Sequence, residues 1–271
     1  MHIVYVFRHS PHGDEELRLS LRSVRECMPY VERAWILGDR PVWLGEDDSF
    51  VRVVGHEEMA WLLGLRTPVT NMFLMYVLAA LLPELPPEFV AFSDDFLVLR
   101  PFSEEQVRRL RVVEDLAQVR TRGKGLYKDA LWRTYDTLRR LGYSGLNFET
   151  HTPTWLTKRH VLAAYRDLRD FVSQDRFYGL LAATAIYNHA LQREKFDLIP
   201  RDAEGLYVDF YDRPFSPKEI AERCAGKTLL NFDDRAFNDA LRDHLHERFP
   251  APAPWEAAPP SCWEEALARG A

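Results

Sequence analysis

Short apolar runs alternate with amphipathic stretches through the first hundred residues. Ile3-Val4-Tyr5-Val6-Phe7 is rich in β-formers and runs into Ser10-Pro11-His12-Gly13, which predicts a buried strand that ends in a loop. Asp14 then stands as the expected cap of a helix in which Leu17, Leu21, Val24 and Met28 recur at helical spacing and Pro29 closes the run. Ala34-Trp35-Ile36-Leu37 and Val51-Arg52-Val53-Val54, each followed by turn residues, predict two further strands. Residues 71–82 predict a buried helix. Phe89-Val90-Ala91-Phe92 and Phe96-Leu97-Val98-Leu99 predict strands on either side of Ser93-Asp94-Asp95. Strand and helix in alternation define an α/β class with a largely parallel sheet.

The second half is less regular. Ser103-Glu104-Glu105-Gln106 and Ser216-Pro217-Lys218-Glu219 are capping boxes that open helices. Helices are expected over 128–141, 158–171, 176–192 and 236–249, and a strand over Thr228-Leu229-Leu230-Asn231-Phe232. Arg120-Thr121-Arg122-Gly123-Lys124-Gly125 reads as a charged loop, and the basic run from Arg120 to Lys128 could close over a ligand's phosphates or simply be solvated. Proline and alanine dominate beyond residue 250, so residues 1–250 are read as one domain and 251–271 as a Pro/Ala-rich C-terminal tail on its surface.

Composition narrows the classes. With 46% hydrophobic and 28% charged residues over 271 positions, the chain is of globular type. A net charge of −6 argues against a broad footprint on duplex nucleic acid or an anionic membrane, so any phosphate must be gripped locally. Cys27, Cys224 and Cys262 have neither zinc-site spacing nor the even number of a disulfide framework, which suits a reducing compartment. The first apolar run is too short for a signal sequence and no stretch is long enough to span a bilayer. A soluble, cytoplasmic protein is therefore expected.

The sharpest chemical signal is Asp94-Asp95. Two carboxylates between strands that want burial suit a hard divalent cation such as Mn²⁺ or Mg²⁺, because burying both unpaired costs several kcal/mol. A hairpin turn with solvated aspartates is the alternative. Arg8 leaves the first strand at the carboxyl edge, where α/β sheets bind ligands, and Arg18 and Arg22 lie one helical turn apart. The three together could hold a diphosphate, or the helical pair could meet Asp14 and Glu15 instead. His151, in a proline-containing turn, fits a metal ligand or a general base, and equally a histidine bonded to its own loop. Asn231, Asp233 and Asp234 combine a polar strand end with a helix cap. Tyr207, Phe210, Tyr211, Trp132 and Trp155 could stack on a sugar or a base, or fill the core.

Several blocks fall in a telling order: Tyr5-Val6-Phe7-Arg8, Glu16-Leu17-Arg18-Leu19-Ser20-Leu21-Arg22-Ser23, Trp35-Ile36-Leu37-Gly38-Asp39, Pro41-Val42-Trp43-Leu44, Pro68-Val69-Thr70-Asn71 and Phe92-Ser93-Asp94-Asp95-Phe96. His151-Thr152-Pro153, Phe177-Tyr178-Gly179 with Lys195 beyond it, and Asn231-Phe232-Asp233-Asp234 continue the series. Over residues 3–256 this order resembles the Stealth family of sugar-phosphate transferases, and it is similar to small phage-borne glycosyltransferase-like proteins. The resemblance implies a GT-A-like, Rossmann-type mixed sheet flanked by helices, as a single catalytic domain with helical additions. It implies a metal-dependent glycosyltransferase that moves a sugar from a nucleotide-sugar donor to an acceptor hydroxyl on a glycan, a virion protein or modified DNA. Asp95 with Asp94 would hold Mn²⁺ or Mg²⁺. Arg8, Arg18, Arg22, Asn71, Asp94 and Lys195 would contact the donor, and His151 and Asp234 would act on the acceptor.

Where Stealth-type first blocks carry acidic residues around the first strand, Met1-His2 and Arg8-His9-Ser10 stand here. That departure favours attack at the anomeric carbon over transfer at phosphorus. Hexose-1-phosphate transfer is the alternative reaction, and an inactive glycan-binding protein is the alternative class.

Overall fold

A computed structural model describes residues 1–119, 125–175 and 179–257. Its strands are β1 (His2–Phe7), β2 (Arg33–Gly38), β3 (Val51–Val54), β4 (Glu88–Phe92), β5 (Phe96–Val98), β6 (Leu110–Val112), β7 (Thr154–Thr157), β8 (Leu198–Pro200), β9 (Tyr207–Phe210) and β10 (Leu229–Phe232). Its helices are α1 (Glu15–Cys27), α2 (His56–Ala60), α3 (Met72–Leu81), α4 (Glu104–Arg108), α5 (Leu116–Val119), α6 (Leu126–Arg140), α7 (Lys158–Leu168), α8 (Ala182–Ala190), α9 (Pro217–Cys224) and α10 (Asp239–Arg248).

The main sheet runs β3-β2-β1-β4-β7. Its first four strands are parallel, and β7 is antiparallel to β4 at the edge. This is the expected mixed α/β architecture with helices on both faces. Period-two alternation divides each central strand between two cores. Ile3, Tyr5 and Phe7 of β1 and Ile36 of β2 pack with Leu17, Leu21 and Val24 of α1. Val4, Trp35 and Leu37 face the other way, toward Phe73, Val77 and Leu78 of α3. Gly38, at φ 129°, ends β2 where an added Cβ would lie 2.1 Å from the Phe7 carbonyl oxygen, so only glycine fits against β1.

A second sheet, β5-β10-β9, has β10 antiparallel to β5 and parallel to β9. Residues 93–95 therefore cross from one sheet to the other, and the hairpin alternative for Asp94-Asp95 does not hold. Serines of α1 seat the receiving strand: Ser20 Oγ donates to the Phe96 carbonyl, and Ser23 Oγ accepts from Val98 N at 3.0 Å.

Several local expectations change. Asp14 holds the N-cap position of α1 with φ 62° but makes no cap; its carboxylate instead takes Ser10 N, the His9 ring and Val42 N, tying two loops together. The last helix begins at Asp239 rather than 236, because Asn238 accepts from Leu241 N at 3.1 Å and sets the start. The helix expected over 176–192 is α8, and residues 176–178 lie outside the described residues. The charged loop at 120–124, and residues 258–271 with Cys262, also lie outside them.

The segment before residue 258 is packed. Trp255 stacks on Phe50 at 4.6 Å between centroids and Gly45 N donates to its carbonyl at 2.8 Å. Among the described residues no helix is long and apolar enough to cross a membrane.

Candidate active site

The strand order places β1 between β2 and β4, so chain direction through the sheet reverses there. The crevice beyond the carboxyl ends of such neighbours is where open α/β sheets bind ligands. Arg8 follows β1 and Ser93-Asp94-Asp95 follows β4, and a cleft of about 440 Å³ opens beside them. Ser10 and Glu16 form one wall, Asp94 and Asp95 the floor, and His151 and Tyr211 another wall. The turn after β10 closes it with Phe232, Asp233, Asp234 and Arg235.

Five carboxylates converge on this space. Asp95 Oδ1 is shielded from solvent and has no hydrogen-bond partner among the described residues. Burial pushes its carboxyl up, aided by the charge of Asp234 and opposed by Ser93 and Asn231. Asp94 is pushed up to about 7, first by burial and then by the charges of Asp95 and Glu16. Glu16, only 5% exposed, accepts from Ser10 Oγ at 2.7 Å and lies 4.0 Å from His12 Nε2. Asp233 is occupied, since its two oxygens accept from Ala236 N and Asp212 N at 2.9 Å. Asp234 is exposed in the cleft.

Asn231 explains why the floor holds its place. It is fully buried, its Nδ2 donates to the Asp95 carbonyl at 3.1 Å, and its Oδ1 accepts from the Tyr211 hydroxyl. His151 adopts φ 53°, and its ring has Phe96, Tyr127 and Tyr211 within 6.5 Å between centroids. Burial foremost, then the Arg201 charge, lowers its pKa against the pull of Asp209, so a neutral imidazole faces the cleft at pH 7. Of the aromatic residues considered for stacking, Tyr211 lines the cleft, Tyr207 reaches it only through a 3.3 Å contact between the two hydroxyls, and Phe210 is core.

The fold thus brings Asp94, Asp95, His151 and Asp234 together and leaves the other nominated residues elsewhere. Arg22 donates from Nε and Nη2 to the two oxygens of Glu256 at 2.5 and 2.6 Å and from Nη1 to the Phe249 carbonyl at 3.0 Å. Arg18 Nε reaches the same carboxylate at 2.6 Å. Their partner is thus not Asp14 or Glu15 but a residue more than 230 positions away. Asn71 is buried as the cap of α3, accepting from Leu74 N at 3.0 Å, and Gly179 packs on its amide. Lys195 is exposed in the turn beyond α8. Arg8 is exposed at the end of β1 and makes no ion pair or hydrogen bond among the described residues.

Two charged residues of the cleft had no role assigned from sequence. Glu16 carried a signal, because with Ser20 and Ser23 it puts polar side chains on the inward face of an otherwise apolar helix. Arg235 had none, since only the path of the turn after β10 brings it to the cleft.

Among the described residues no group of three or more His, Cys, Asp or Glu is arranged to hold a metal. The donor set nonetheless fits one. Asp94 and Asp95 present hard oxygen ligands, one of them an orphaned buried carboxylate oxygen, which is what a divalent cation would relieve.

No family model matches the chain. Over 89 residues it is 34% identical to the capsular polysaccharide phosphotransferase LcbA of Aeromonas hydrophila, covering 32% of this chain and 24% of that protein. Over 91 residues it is 31% identical to the capsular polysaccharide phosphotransferase fcs1 of Haemophilus influenzae, covering 33% of this chain and 24% of that one. The chain thus spans about a quarter of the length of the curated relatives it matches, and the sugar-phosphate transferase resemblance has its counterpart there. Among solved structures, the galactosyltransferase LgtC in complex with donor and acceptor sugar analogs aligns over 98% of this chain and 99% of its own, at 14% identity and a TM-score of 0.47. An active-site mutant of LgtC aligns similarly, over 97% and 99%, at 13% identity and 0.47.

Proposed function

We propose that the protein is a divalent-metal-dependent transferase that takes a sugar from a nucleotide-sugar donor. The observation that carries this reading is the unpartnered, shielded oxygen of Asp95 on the floor of an acid-lined cleft at the carboxyl edge of the sheet. A carboxylate buried without a partner is costly, and folds retain such groups where a ligand completes them.

Asp95 and Asp94 would hold Mn²⁺ or Mg²⁺, which when bound supplies positive charge to offset the developing charge of a diphosphate leaving group. Asn231 keeps the backbone of Asp95 fixed so that its carboxylate does not retreat. Arg8, which follows β1 and lies outside the cleft lining, would add an outer contact to the donor. His151, neutral near pH 7, accepts the proton of an acceptor hydroxyl, or Asp234, which lines the same cleft, does so. Phe96, Tyr127 and Tyr211 around His151 offer apolar faces against which a sugar ring packs. The protein acts in the cytoplasm on this reading.

Sugar-1-phosphate transfer is the second reading, supported by the two capsular polysaccharide phosphotransferases that the chain resembles. The same carboxylates would then serve attack at phosphorus. Incubation with a panel of nucleotide sugars and Mn²⁺, with the products resolved by chromatography, separates the readings. Nucleoside diphosphate marks glycosyl transfer, nucleoside monophosphate marks sugar-phosphate transfer, and neither product from any donor would refute both.

A further inference from the structure

We infer that Arg235 is the side chain of this chain that grips the donor's phosphates, an assignment that rests on the nucleotide-sugar reading above. The cleft wall contains five carboxylates, Glu16, Asp94, Asp95, Asp233 and Asp234, and Arg235 is its sole Lys or Arg among the described residues. A dianionic diphosphate does not enter a field of that sign without cations aimed at it. A divalent ion on Asp94 and Asp95 supplies one such cation at the floor. A diphosphate carries charge on both of its phosphates, so a second cation beside the first favours its entry.

Arg8, after β1, is equally free of partners among the described residues but does not line the cleft, and the other basic residues near this edge are spoken for. Arg18 and Arg22 spend their donors on Glu256. Arg242, on the neighbouring α10, is 2.9 Å from Glu15 and 3.5 Å from Asp239. Arg201 lies over the Tyr207 ring at 4.4 Å and 3.3 Å from Asp202. Arg235 differs from all of these. It is exposed to the cleft and makes no hydrogen bond, ion pair or ring contact among the described residues, although Asp234 precedes it in the chain. A guanidinium beside acids that binds none of them keeps its whole fork of donors for an incoming anion, and that fork matches paired phosphate oxygens.

Its backbone is fixed. Asp233 bonds Asp212 N and Ala236 N on either side, and Ala236 and Phe237 are buried, so the turn is pinned while the Arg235 side chain remains free. Phe237 stacks on Phe232 at 4.8 Å between centroids, which anchors the turn to the strand that carries Asn231. Arg235 and Asp95 are therefore mounted on one rigid base.

The test is titration calorimetry with UDP, GDP, CDP and ADP in the presence of Mn²⁺, on the wild type, Arg235→Ala and Arg235→Lys. For whichever diphosphate the wild type binds, Arg235→Ala should lose at least tenfold in affinity and Arg235→Lys less, since an ammonium keeps the charge without the fork. Melting temperatures without nucleotide should be the same in all three proteins, because the side chain is exposed. Wild-type affinity in Arg235→Ala overturns the inference and leaves the nucleotide-sugar reading standing. A loss of affinity matched by a fall in the nucleotide-free melting temperature also overturns it, by assigning Arg235 to the fold. A wild type that binds none of the four diphosphates refutes the underlying reading and this inference with it.

Discussion

At Glu256 a carboxylate that is 1% exposed receives hydrogen bonds from two guanidinium groups and from Ala253 N. At Asp95 an oxygen shielded as completely receives none. Burial pushes both carboxyls up, but at Glu256 the bonds from Arg22, Ala253 N and Arg18 outweigh it and hold the acid below the ordinary range, whereas at Asp95 burial prevails. The first acid is a finished piece of structure, with its desolvation offset inside the chain. The second keeps an oxygen that no described residue meets, the position that the proposed cation would take. The contrast also shows why Arg18 and Arg22, which look like phosphate grips in the sequence, are clasps: their counter-ion is a residue that no local pattern connects to them.

The comparison breaks first, if it is wrong, at Asp95. Asp95→Asn should lower turnover about 10² to 10³-fold, the scale of removing one preorganised charge-stabilising group, without lowering the melting temperature of the metal-free protein. A variant that stays active under saturating Mn²⁺ would show that the floor carboxylate is not a ligand.

Glu256→Gln should do the reverse. Leaving Arg22 buried without its counter-ion should cost about 3 kcal/mol of unfolding free energy in urea, while KM for the donor stays unchanged. Unaltered stability would erase the distinction between the two acids.

Mn²⁺ sharpens it further. At a hundredfold excess over its Kd, a ligand that binds only the native state adds about 2.7 kcal/mol, so the cation should raise the melting temperature of the wild type and of Glu256→Gln alike, and leave Asp95→Asn unmoved. An equal increment in all three proteins would put the cation elsewhere.

The smallest effect is in pH, and it has opposite signs in the two regions. Glu256 is lowered in the fold, so its contribution is complete above the ordinary carboxylate pKa and is lost as acidification passes through the lower folded value. Asp94 is raised to about 7, so the metal-free fold holds its proton more tightly than the unfolded chain and loses stability as pH rises from about 4 through about 7. Thermal melts from pH 2 to 8 should show a falling neutral limb that flattens in Asp94→Asn and an acid limb that is shallower in Glu256→Gln.

Periodic segments were legible in the sequence because local physics sets them. β1 to β4, α1 and α3 follow from runs whose apolar spacing fits only one element type, and both capping boxes form as expected. The short strands β6, β7, β8 and β9 were not anticipated. Three or four residues such as Leu198-Ile199-Pro200 carry no period, and pairing across distant segments creates them. The same division holds in the cleft. Asp94 and Asp95 were visible as acids between two apolar runs, and His151 as a histidine in a constrained turn. Glu16 showed only as a polar position beside Ser20 and Ser23 on the inward face of α1, and Arg235 as one more charge after a strand. Their approach to the same space depends on how α1 and the turn after β10 dock, which no local pattern records.

The clasp at residues 255 and 256 also orders events during folding. Trp255 covers Phe50, and Glu256 completes the charge of Arg18 and Arg22 on a helix some 230 positions earlier. Contacts of such sequence separation form late, because closing a long loop costs entropy before any contact rewards it. As a chain leaves the ribosome, α1 can form and pack on β1 early, yet Arg22 keeps an unmet charge at its surface until residue 256 has been made. Until then the nascent domain offers a guanidinium pair and an uncovered aromatic ring to its surroundings, and that one strap closes both.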